Sequence, residues 1–90
     1  MMLQKKLGIE IAEKVLKIFA DNPKHFGFIK IKKEELAEIE NIYSPLAMPL
    51  CRDVYTFRAG IWVVMIIVKD WIEVTLLNPY DPNEHYTVAI

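Results

Sequence analysis

Apolar residues recur along this chain with two different periods, and the change of period divides it. From about Ile9 to Ala20 the spacing is helical. At about 100° per residue, Glu10, Glu13, Lys14 and Lys17 share one stripe, and Ile11, Ala12, Val15, Leu16, Ile18 and Phe19 fill the rest. Glu10–Lys14 and Glu13–Lys17 are i,i+4 pairs in the favourable order, and Asp21-Asn22-Pro23 stops the helix. Before Gly8 the phase breaks, because Leu3 and Leu7 would fall on the polar stripe. Residues 1–8 are therefore expected to form a separate turn or a frayed start. Phe26 to Lys32 ends in apolar–polar alternation, which suggests a short edge strand. Lys33 to Tyr43 reads as a second helix, with Leu36, Ile39, Ile42 and Tyr43 opposite Glu34, Glu38 and Asn41. Ser44-Pro45 and Met48-Pro49 then mark an irregular connection, since proline fits neither helix interior nor central strand.

From Asp53 onward the pattern predicts strands at Asp53–Phe57, Ile61–Val68 and Trp71–Leu77. The segment Asn78–Glu84 contains Pro79 and Pro82 and reads as a loop, and His85–Ile90 reads as a last edge strand. The expected architecture is one α+β domain over residues 1–90. Two helices pack on one face of a mainly antiparallel sheet, a β-meander from about residue 53 to 77, with edge strands near 26–32 and 85–90.

The central hairpin is the informative part. Lys69-Asp70 as a two-residue loop sets Val68 against Trp71, Ile66 against Glu73, Val64 against Thr75 and Trp62 against Leu77. The other face then carries Ile61, Val63, Met65 and Ile67 with Ile72, Val74 and Leu76, and is expected to lie against the helices. A three-residue Arg58-Ala59-Gly60 loop adds Tyr55 and Phe57 to that face. Trp62, Val64, Ile66, Val68, Trp71, Glu73, Thr75 and Leu77 form the second face, beside Val54 and Thr56. It is too apolar to leave wet in a monomer. Either the first helix, Tyr80 or the 44–50 segment covers it, or it meets another protein or an apolar ligand.

Composition narrows the function classes. A hydrophobic content of 53% with 26% charged residues is that of a globular domain, and a net charge of −1 offers no field for nucleic acid or anionic lipid. The longest apolar run, Ile61–Val68, is far shorter than the ~20 residues a membrane helix needs. No leader peptide is recognisable at Met1–Gly8. The single cysteine, Cys51, excludes an internal disulfide, fits a reducing cytoplasm, and is expected to pack as a small hydrophobe. Isoleucine, lysine and glutamate are frequent, a bias shared with hyperthermophile proteins.

Chemistry-bearing patterns are sparse. Gly8, Gly27 and Gly60 never cluster into a phosphate loop, and His25, His85 and Cys51 lack metal-ligand spacing, so neither cofactor nor metal is expected. Glu34, Glu35, Glu38 and Glu40 read as a solvated helix face, and Asp81–His85 as a turn. Lys24, Lys30, Lys32 and Lys33 form a short basic strip near His25 and Phe28; Lys30, Lys32 and Lys33 are candidate nucleic-acid contacts, next to glutamates that cancel their field.

Leu46, Pro49-Leu50, Tyr55 and Arg58-Ala59-Gly60-Ile61-Trp62, leading into two apolar strands, resemble the sheet of the RelE/ParE toxin superfamily. The resemblance covers about a third of the chain. It implies a ribonuclease-type RNA contact at Arg52 and Arg58. Members of that family open with a strand, are strongly basic and carry arginines after the glycine. This chain does none of these. The function expected first is a small non-enzymatic protein-interaction module, acting as a homo-oligomer or as an adaptor or inhibitor of a larger protein. No catalytic residue is expected.

Overall fold

The computed structural model describes residues 4–41 and 53–90. Helix α1 spans Ile9–Asp21, α2 Pro23–Phe26 and α3 Lys33–Ala37. Strands β1 (Asp53–Ala59), β2 (Trp62–Val68), β3 (Ile72–Asn78) and β4 (Asp81–Ala89) follow. The strands form a 4-stranded antiparallel meander in chain order, so the α+β class read from the pattern is the observed one. A third, short helix accompanies the expected pair.

Helix α1 follows its pattern. Ala12, Val15, Ile18 and Phe19 are buried, and Asn22 closes its end through its backbone N–H and its side-chain amide, both donating to the Ile18 carbonyl. Proline at the first position of α2 restarts a single turn. Phe26 stacks on Phe19, ring centres 5.2 Å apart, and tilts against Tyr86 of β4 at 5.8 Å. His25 lies flat on Tyr86 at 3.6 Å, and the Tyr86 hydroxyl donates to Asn22 Oδ1 at 3.2 Å. The α1–α2 corner is thereby fastened to the far strand of the sheet.

Several local expectations are corrected. The edge strand expected near 26–32 is absent: Phe26 ends a helix, a turn follows, and 29–32 are irregular. Proline at position 23 had already committed this segment to a helical turn. Helix α3 ends at Ala37 rather than running on, and residues 42–52, which include the end of the expected helix and Cys51, lie outside the described residues. Residues 5–8 are not frayed. They pair with the chain after α3 through Leu7 N–H to the Ile39 carbonyl, Gly8 N–H to the Ala37 carbonyl and Asn41 N–H to the Lys5 carbonyl. Leu7 is buried. The loop expected over 78–84 shrinks to Pro79-Tyr80, and β4 begins at Asp81.

The main correction is to the register of β2. Gly60, at φ +64°, opens a two-residue turn with Ile61, so Ala59 pairs with Trp62, Phe57 with Val64 and Tyr55 with Ile66. At the other end the loop is Lys69-Asp70-Trp71, so Val68 pairs with Ile72, Ile66 with Val74 and Val64 with Leu76. Both loops differ by one residue from the expected lengths, in opposite senses. The faces of β1 and β3 are therefore as read, while every side chain of β2 is reversed. Trp62, Val64, Ile66 and Val68 face the helices, and Val64 and Ile66 are fully buried beside Tyr55, Val74 and Leu36.

Candidate functional site

The face of the sheet turned away from the helices is built by three cross-strand rows. At the Gly60 end lie Arg58, Val63, Leu77 and His85. The middle row is Thr56, Met65, Thr75 and Thr87. At the 69–71 end lie Val54, Ile67, Glu73 and Ala89. Valine, isoleucine, methionine and leucine at the centre suit a pleated strand, and threonines border them. The Thr75 and Thr87 hydroxyls share a hydrogen bond of 2.9 Å across β3 and β4. Neither the core cluster nor the apolar side chains packed against it include any residue of these rows. Val54, Val63, Met65, Ile67 and Leu77 are half-buried and still accessible.

The edges of the sheet are less open than the face. Beside β1, Asn41 bridges Tyr55, and Lys5 crosses to Asp53 at 3.0 Å. Along the first half of β4, Asp81, Pro82 and Glu84 discourage strand addition, because a proline gives no N–H and carboxylates repel a like edge. Burial, and then the Asp53 carboxylate, raise the Tyr55 hydroxyl above its ordinary value. The Asp53 carboxylate likewise raises Lys5, and Glu38 raises Lys6.

The residues expected to form the interface separate into three groups. Trp62, Val64, Ile66 and Val68 lie on the helical side, in or against the core, and are not part of the exposed face. Glu73, Thr75 and Leu77 are on the outer face, beside Val63, Met65 and Ile67, which the pattern had placed inside. Trp71 is neither: it stands in the β2–β3 loop, 42% exposed. Its indole N–H donates to Glu73 Oε1 at 2.7 Å, and Lys69 Nζ lies 4.6 Å from its ring centre.

Of the candidate nucleic-acid contacts among the described residues, Lys30 and Arg58 are brought together and Lys32 and Lys33 are engaged elsewhere. Lys33 pairs with Glu13 at 3.5 Å. Lys32 caps α3, its backbone N–H donating to Glu35 Oε1 at 3.0 Å. Lys30 and Arg58 line one cleft of about 360 Å³ together with Phe28, Ile31 and Glu35, the single carboxylate among its lining residues. Arg58 alternates with the core-facing Phe57 and Ala59, and Arg52 lies outside the described residues. Among the described residues no group of carboxylates, histidines and cysteines could hold a metal ion, and no helix is long and apolar enough to cross a membrane.

Comparison with protein families, with curated proteins and with solved structures finds no match to this chain.

Proposed function

We propose that this chain is a small non-enzymatic protein-interaction module whose docking surface is the outer face of the sheet, centred on Met65. One observation carries the reading: Val54, Val63, Met65, Ile67 and Leu77 adjoin on a face that the core excludes. A sheet face exposed to water normally alternates toward lysine, glutamate and threonine, and a contiguous apolar patch in a small protein marks a contact surface.

Accessibility of Met65 in dilute solution tests this reading. At nanomolar concentration Met65 should be oxidised by peroxide within about tenfold of the rate of an unfolded methionine, as a half-buried but accessible side chain allows. A hydrophobic dye should bind the native chain and be lost on Met65→Lys, with the unfolding temperature preserved. A protected Met65 in the dilute chain would show the face to be covered from within and end the proposal.

A further inference from the structure

The outer face carries a charge pattern that fits a second copy of itself. Arg58 and Glu73 stand diagonally on either side of Met65, one strand and one row away in opposite directions. With strands ~4.8 Å apart and rows ~6.8 Å apart, each lies about 8 Å from Met65. A twofold axis in the plane of contact, through Met65 and perpendicular to the Arg58–Glu73 line, exchanges these two positions. Two copies so related place each Arg58 against Glu73 of the other, twice per dimer, with Met65 on Met65 at the centre.

The same operation sets Val63 beside Thr75 of the second copy and Ile67 beside its Thr56, so aliphatic groups meet threonine methyls. The strands of the two sheets then cross at about 70°, near the orthogonal class of sheet packing. Among the described residues Arg58 forms no ion pair. Glu73 has one oxygen engaged by Trp71, which orients the carboxylate and leaves the other oxygen for a guanidinium. A net charge of −1 on each chain opposes the encounter little.

We infer that the occupant of the outer face is a second copy of this chain, in a twofold dimer registered by reciprocal Arg58–Glu73 pairs. This rests on the reading of that face as a docking surface. Four strands of about seven residues present roughly 450 Å² of sheet. Two such faces with their rims bury on the order of 1,000 Å², the low end for specific interfaces. The dimer is accordingly weak, and its formation is read at tens to hundreds of micromolar, roughly.

Charge reversal tests the register. Arg58→Glu alone and Glu73→Arg alone each bring like charges together twice, and each should weaken self-association about a hundredfold. Mixing the two variants restores both opposite-charge pairs, so the mixture should associate as the wild type does, as should the double variant. Sedimentation velocity reads all five samples, and thermal unfolding confirms that each variant is folded. If Glu73→Arg disturbs the Trp71 loop, Glu73→Gln keeps an acceptor there and should still weaken association. Single variants that dimerise like the wild type, or a mixture that stays monomeric, would overturn the register. A wild type that stays monomeric at several hundred micromolar would remove the second copy as occupant. The nanomolar Met65 measurement decides separately whether the face is open.

Discussion

Ile66 and Ile67 are chain neighbours of identical chemistry on opposite faces of β2, and the comparison of their alanine variants measures the register directly. Ile66 is fully buried, pairs with Tyr55 and Val74, and sits in the core cluster with Leu36 and Val15. Removing its side chain loses the transfer free energy of the buried carbons and leaves a cavity beneath the helices, about 3 kcal/mol within the usual range for such sites. Ile67 is only partly buried, on the outer face. Water can fill the space its side chain leaves, so Ile67→Ala should cost about 1 kcal/mol or less. For 90 residues the unfolding entropy is about 190 cal/mol/K, so each kcal/mol moves Tm by about 5 °C. Thermal unfolding followed by circular dichroism in dilute solution should therefore show a fall of about 15 °C for Ile66→Ala and no more than about 5 °C for Ile67→Ala. If Ile66→Ala fails to fold, Ile66→Val against Ile67→Val gives the same contrast at about a third of the size. The reverse order would mean that Ile67 faces the helices, and would return β2 to the register expected from its loops.

Other expectations follow from single contacts. Tyr86→Phe removes the hydroxyl that donates to Asn22 and should cost about 1 kcal/mol in urea unfolding, while the ring stack with His25 remains. Gly60→Ala forces a side chain into the left-handed region at φ +64° and should cost about 1–2 kcal/mol, although space for the methyl group is open. Trp71→Phe should remove most of the fluorescence that acrylamide quenches in the folded chain, because Trp71 is 42% exposed while Trp62 packs against the core. Tyr55 has its folded-state pKa raised above its ordinary 10.0, so its stabilising share is intact below that value and is lost as pH rises through the folded pKa. Lys5 and Lys6 are raised above 10.5 and act in the same direction. Stability should hold at neutral pH and fall above about pH 10, and Tyr55→Phe should make that fall shallower.

Most of the architecture was legible because one physical signal dominated each element. Helix α1 carries a clean polar stripe, and β1 and β3 each present one face with Thr56 and Arg58, or Glu73 and Thr75, so only one orientation buries them well. Strand β2 carries no such signal. Trp62, Val64, Ile66 and Val68 are apolar, and so are Val63, Met65 and Ile67, so alternation is silent about which set turns inward. The choice then rests on loop lengths, where Gly60-Ile61 and Lys69-Asp70-Trp71 differ from the expected turns by one residue each. Two opposite slips leave the flanking strands undisturbed, which is why nothing in β1 or β3 exposed the difference. The docking face was thus half legible: Glu73, Thr75 and Leu77 follow from β3, whereas Val63, Met65 and Ile67 emerge only from the pairing. The pairing of residues 5–8 with 37–41 was not legible, because it rests mainly on backbone groups, and the Asn41 side chain and the Lys6–Glu38 pair that accompany them follow no periodic pattern.

The outward-facing Met65 patch and its second-copy occupant meet in one measurement, sedimentation equilibrium of the wild-type chain beside Met65→Lys across a wide concentration range. The wild type should pass from monomer toward dimer as concentration rises into the tens to hundreds of micromolar, roughly, the range suited to an interface near the lower size limit. Met65→Lys should remain monomeric throughout, with its unfolding temperature unchanged. A wild type that never exceeds the monomer mass, or a Met65→Lys chain that associates as the wild type does, would contradict dimerisation through the outer face.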